Sequence, residues 1–259
     1  MIRIEWFNSE KKGKYGSIVY STQEKKEVYS SNSDLIVPLA SAGKIFIGFA
    51  FARWVEEGIF NWNTIIDNIK FDPKEDGHIV YPHLQNRNSL PLHKVIEVMI
   101  ACHDNFLADC VVSYAGGWTK INEKIRLEFA SINLTKNPYS AKNNGNLRDL
   151  FLALSAIFYG YQQTPELFAP IISGMIRQQS GLDNIPKEHY THLGGGLRDL
   201  ILDVGILGIF TENPVLYVIA GKDVPSRNVS DELVSQFLHE VYCGWMKVRK
   251  LTQKELITK

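Results

Sequence analysis

An excess of charge is the first thing this chain lacks: 28 Lys and Arg are matched by 28 Asp and Glu, for a formal net charge of zero. Nucleic-acid binders carry a clear basic excess, so that class is set aside. The basic C-terminal run KVRKLTQKELITK reads as a solvated helix end and tail. Cysteine is scarce, with only Cys102, Cys110 and Cys243. If the first two lie on helix, their spacing puts them about 12 Å apart, too far for a disulfide. Free buried thiols suit a reducing compartment. No apolar run approaches the length of a membrane span, and the opening MIRIEWFNSEKKGKYG lacks the apolar segment of a secretory signal. The expectation is a cytoplasmic protein with no membrane or nucleic-acid partner, or a secreted one if the chain was trimmed.

What is present is ordinary globular material: 259 residues, 45% apolar and 22% charged, enough for one large domain or two lobes. YGSIVYS and KKEVYSS, separated by the polar TQEK, predict a β-hairpin near the N-terminus. From Ala42 to Glu57 a mostly apolar helix is expected, stopped by Gly58. Helical patterns continue through PLHKVIEVMIAC, NFLADCVVSYAGG, GWTKINEKIRLEF, NLRDLFLALSAIFYG and PELFAPIISGMIRQQ, with Gly116 and Gly160 as C-cap glycines. YTHLGGG, DVGILGIF and PVLYVIAGKD then read as three strands. A final amphipathic helix opens with Ser230 or Asp231 as its N-cap. One antiparallel sheet built from both ends of the chain, with a helical insertion between, satisfies this order.

The stretch VPLASAGKIFIGFA places Ser41 and Lys44 three residues apart, on one face at the mouth of the apolar helix. Free N–H groups and the helix dipole there favour negative charge on the Ser oxygen, and a buried lysine is pushed towards its neutral, proton-accepting form. The same residues read equally as a helix cap and a lysine reaching for solvent, because Ser-x-x-Lys is short and common by chance.

Three stretches together resemble the serine β-lactamases of class A, within the penicillin-recognising serine hydrolases: PLASAGK, MIACHDNFLADCVVSYAGG and THLGGG. They stand at the family's Ser-x-x-Lys, Ser-Asp-Asn and Lys-Thr-Gly positions, and the resemblance spans about residues 15 to 250. It implies an α+β fold of the β-lactamase/transpeptidase kind: an antiparallel sheet flanked by helices (residues 1–35 and 166–259) plus an all-helical lobe (36–165). It also implies Ser41 as nucleophile and Lys44 as its base, with Asn105 orienting the substrate amide or Lys44. The N–H groups of Ser41 and Gly195 would form the oxyanion hole, and Tyr81 would stand at the cleft edge. No cofactor or metal is implied, and the partner is a small acyl substrate.

The second and third motifs depart from the pattern. His103 replaces the Ser of Ser-Asp-Asn, with Asp104 and Asn105 intact. An imidazole titrating near 6 to 7 can relay a proton, but it is larger than the hydroxyl. His192 and Leu193 replace the Lys and Thr that would hold a substrate carboxylate, ahead of Gly194. Arg198, in an enlarged GGGLRDL turn, substitutes only if that turn folds back. The resemblance also places His103 and His192 across the cleft from each other, as a hydrogen-bonded pair rather than as a two-nitrogen metal site. The loop SINLTKNPYSAKNNGNLRD offers no carboxylate before Asp149, so the family's base for deacylation is missing. Two functions follow as alternatives. One is a serine hydrolase acylated at Ser41 by a β-lactam, ester or amide, with slow β-lactam turnover. The other is a degenerate relative that binds a ligand or a partner.

Overall fold

The computed structural model describes residues 13–224 and 226–257, so the opening segment and the last two residues of the basic tail lie outside it. Strands β1 (Lys14–Ser21) and β2 (Lys26–Ser31) form the expected hairpin around Thr22–Lys25. A short β3 (Ile36–Pro38) leads through a single 3-10 turn, Ala40–Gly43, into α1 (Lys44–Glu56). Then come β4 (Ile65–Asp67), α2 (Gly77–Val80), β5 (Ser89–Pro91), α3 (Leu92–Ala101), α4 (Asn105–Tyr114) and α5 (Trp118–Arg126). After β6 (Asn144–Asn146) follow α6 (Leu147–Gln163) and α7 (Pro165–Ile176). Strands β7 (Tyr190–Leu197), β8 (Leu200–Leu207) and β9 (Val215–Lys222) precede the long α8 (Arg227–Ile257).

The main sheet is antiparallel with the order β2-β1-β9-β8-β7, so the chain's two ends pair as expected. Every residue of β8 is buried, because both faces of the sheet are covered. On one face α8 lays down Val234, Phe237, Leu238, Val241, Tyr242 and Trp245, at helical spacing, against Tyr217 and Ile219. The other face joins the helical body, whose centre is α1; its Ile45–Ala52 stretch is buried throughout.

Some expectations are corrected. Gly160 caps nothing: it lies inside α6, where a methyl group would run into the Phe168 ring of α7. Gly116, by contrast, follows α4 at φ +93°, a helix-ending conformation that glycine adopts without strain. α7 packs on α3, α6 and α1 and also meets β7. The last helix starts a turn early, at Arg227, where the Ser226 hydroxyl accepts from Val229 N at 3.5 Å. Arg198 does not fold back; β7 and β8 pair up to Leu197 and Leu200, which leaves it exposed at the tip of a two-residue turn. All three cysteines are free. Among the described residues no helix is long and apolar enough to cross a membrane.

Candidate active site

Ser41 sits in the 3-10 turn that feeds the N-terminus of α1. The turn is held from both sides. Leu39 N donates to Asn143 O (2.9 Å), Asn143 Nδ2 donates to Ala40 O (3.4 Å), and β3 pairs with β6. Ala40 takes a left-handed φ of +45°, a conformation an alanine holds only where its surroundings impose it. One helical turn on, Lys44 is buried, with Nζ 3.5 Å from Ser41 Oγ and donating at 2.8 Å to Asn105 Oδ1. Burial lowers the Lys44 pKa to about 8, although Glu75, Asp104 and Asp72 favour the ammonium. A lysine in that range is a competent proton acceptor near neutral pH.

Asn105 begins α4. The residue before it, Asp104, caps that helix by accepting from Leu107 N (2.8 Å) and also accepts from Asp72 N (2.9 Å). That second bond ties the loop before α2 to the start of α4 and brings Glu75 to the site. Glu75 Oε1 accepts from Asn105 Nδ2 at 3.3 Å, so the amide is fixed with its oxygen on Lys44 and its nitrogen on a carboxylate. Burial raises the Glu75 pKa. Sequence reasoning missed Glu75, and its one signal was the acidic run in FDPKEDG.

His103 lies at the α3–α4 junction with φ +56°, half-buried, and its Nδ1 is buried without a hydrogen-bond partner. Burial first, and then the charge of Lys44, pushes its pKa down to about 4. That lies well below the range of 6 to 7 expected of an ordinary imidazole and favours a neutral ring.

His192 is placed differently. It is only 2% exposed, Nδ1 is 3.0 Å from Asp203 Oδ2, and Nε2 is 3.2 Å from Ser180 Oγ. Both ring nitrogens are engaged, by Asp203 and Ser180, which does not support a substrate-anchoring side chain. Leu193 is fully buried in the core and offers the cleft backbone alone. Gly194 stands opposite Asp203 in the ladder. Gly195 presses against the Ser41 turn: a Cβ there would lie 3.0 Å from Leu39 O and 3.3 Å from Ala42 N. Because β7 is an edge strand, it has unpaired backbone groups on the side away from β8. Tyr81 is not at the cleft edge; it is 2% exposed, and its hydroxyl donates to Glu97 at 2.8 Å. Glu97 also holds Lys94 at 2.6 Å and Arg177 at 3.2 Å, so Tyr81 belongs to a buried polar knot.

On the far side of Lys44, a cavity of about 20 Å³ lies between Ala40, Lys44 and Asn105 and the loop residues Leu134, Thr135 and Asn143. That is room for about one water. Among the described residues no carboxylate lines it. Asp149 turns elsewhere, accepting from Ser131 N at 2.7 Å. No cluster of metal-ligating side chains occurs among the described residues.

The profile of the Beta-lactamase enzyme family matches residues 3–243 of this chain. The chain belongs to that family. Its fold is that of PBP-A: the PBP-A structure is 18% identical, with a TM-score of 0.76 over 93% of this chain and 92% of that one. A point mutant of PBP-A, solved as an acyl-enzyme complex with penicillin G, is 19% identical, with a TM-score of 0.74 over 90% of each chain. A β-lactamase from Sphaerobacter thermophilus is 18% identical, with a TM-score of 0.71 over 92% of each. No curated protein sequence matches significantly. Within this fold Ser41, Lys44 and Asn105 meet at one site.

Proposed function

We propose that this β-lactamase-family protein is a serine hydrolase that forms an acyl-enzyme at Ser41 and releases it slowly. The observation that carries the reading is Lys44: buried, shifted to about 8, 3.5 Å from Ser41 Oγ and steered by Asn105. Lys44 takes the Ser41 proton as Oγ attacks the acyl carbon. The N–H groups of Ser41 and Gly195 receive the developing oxyanion. The Lys44 ammonium then returns that proton through His103, whose neutral ring accepts it on one nitrogen as it gives the proton on the other to the leaving group. The substrate class is a β-lactam, ester or amide without a strict need for a carboxylate, since His192 and Leu193 provide no cationic or hydroxyl anchor for one. The penicillin G complex of PBP-A supports β-lactams as the first compounds to try.

Intact-mass spectrometry after exposure to a penicillin and to a fluorophosphonate tests this. With each reagent an adduct on the peptide containing Ser41 is expected, and that peptide should be unmodified in Ser41→Ala. Absence of any Ser41 adduct with both reagents would leave the non-catalytic binding module as the reading.

A further inference from the structure

The contacts of His192 with Ser180 and Asp203 assemble a second constellation. We propose that Ser180, His192 and Asp203 form a nucleophilic site distinct from Ser41, acylated by esters and related compounds with good leaving groups.

Ser180 lies in the segment between α7 and β7 and is exposed, whereas His192 is 2% and Asp203 8% exposed. Ser180 Oγ is 3.2 Å from His192 Nε2, and His192 Nδ1 is 3.0 Å from Asp203 Oδ2. The aspartate is fixed in turn. Tyr190 OH donates to its Oδ2 at 3.1 Å, and Tyr217 OH donates to its Oδ1 at 2.5 Å. The Tyr190 ring also stacks on the imidazole, with centroids 3.9 Å apart and planes at 17°. A carboxylate only accepts, so Nδ1 carries a proton; Nε2 lies 3.2 Å from both the hydroxyl and the carbonyl of Ser180, and in the tautomer protonated at Nδ1 alone its lone pair accepts from the hydroxyl. Nucleophile, base and orienting acid therefore stand in the order and at the separations that acyl transfer uses on unrelated folds. The Ser180 carbonyl is also 3.2 Å from Nε2, placed to accept from the imidazolium once the ring is protonated. Beside the serine, a methyl group on Gly181 would meet nothing within 4 Å, so there is open space for an acyl group.

In the reaction, Ser180 Oγ bonds the acyl carbon and its proton passes to Nε2. The imidazolium returns that proton to the leaving alkoxide as the C–O bond breaks. Water then attacks the acyl-Ser180 ester and gives a proton to Nε2, which hands it back to the departing Ser180 oxygen. Ser180 follows the C-terminal end of α7 and lacks the helix N-terminus that serves Ser41. The substrate class is restricted accordingly to acyl groups with good leaving groups, such as aryl esters; a fluorophosphonate serves as a probe, phosphonylating Ser180 as fluoride leaves.

The test uses the full chain carrying Ser41→Ala, treated with a fluorophosphonate and mapped by peptide mass spectrometry. An adduct on the peptide containing Ser180 is expected, lost in Ser41→Ala/Ser180→Ala. Hydrolysis of p-nitrophenyl acetate should fall about tenfold or more between the same two proteins. His192→Gln should lose the adduct while keeping its circular dichroism; if it unfolds, Ser180→Ala decides, because Ser180 is exposed. No adduct in Ser41→Ala, or one that survives Ser180→Ala, would reduce the trio to a structural hydrogen-bond network. An unreactive Ser41 beside a labelled Ser180 would overturn the reading of Ser41 and leave this one standing.

Discussion

On one side of Ser41, Lys44, Asn105 and Glu75 form a continuous chain of polar contacts. Between Lys44 and Asn105 and the loop of residues 131–146, Leu134, Thr135 and Asn143 close on a space for about one water, with no acid. Attack by a serine and hydrolysis of the resulting ester are separate steps, and each needs a base at a different place. On the proposed reading, the residues around Ser41 equip the first step far better than the second. What separates the two sides is the chemistry of the side chains that each presents.

The largest expected effect tests the poorly equipped side. General-base assistance is worth about 10²–10⁴-fold. Without it, a reactive penicillin should give a burst of about one equivalent followed by little turnover, with the acyl-enzyme accumulating in the mass spectrum. Steady multiple turnover without an accumulating adduct would mean that a base has been found on that side, and would break the comparison.

A second, smaller effect tests the well-equipped side through stability. The folded-state pKa of Lys44, about 8, lies below the ordinary lysine value of 10.5, so the unfolded chain holds the proton more tightly. Stability therefore rises with pH between those values, and at pH 7 the buried charge costs about 3 kcal/mol. Lys44→Met should raise the thermal midpoint at pH 7 while abolishing acylation, with the gain shrinking as the pH approaches the ordinary lysine value. A lower midpoint at pH 7 would show that the bond to Asn105 outweighs the burial cost.

The smallest effect concerns Glu75. Acylation should rise about tenfold per pH unit up to about 8 and then level off, as Lys44 becomes neutral. Glu75→Gln removes one negative charge that favours the ammonium, leaving Asp104 and Asp72. The limb should move to lower pH, on the order of one unit or less because Glu75 is partly solvated. His103→Gln should leave the limb in place, since that ring is already neutral above about pH 4. A limb that stays put in Glu75→Gln would make Glu75 a hydrogen-bond partner of Asn105 and nothing more.

Much of the fold was legible in the pattern of residues. Alternation in PVLYVIAGKD and helical spacing in α8 report on burial directly, because each face of a strand or helix meets one environment. Gly160 misled because a glycine inside a helix for close packing looks, in sequence, like one that ends it. Tyr81 misled because position along the chain says where a residue lies but not which way its ring turns. Its hydroxyl chose Glu97, a partner 16 residues away.

By itself the sequence determined the pairing of Ser41 with Lys44. Three residues at a helix start put two side chains on one face whatever the rest of the chain does. It also determined that residues 131–146 carry no acid, since no packing can supply a carboxylate absent from the segment. Only the tertiary structure decided the protonation of Lys44, the approach of Glu75 from a loop 30 residues before Asn105, and the turn of His192 towards Asp203 and Ser180. The physical reason is one of range. Chain spacing sets geometry within a turn or two, whereas desolvation and cross-strand partners depend on which distant segments close over a side chain.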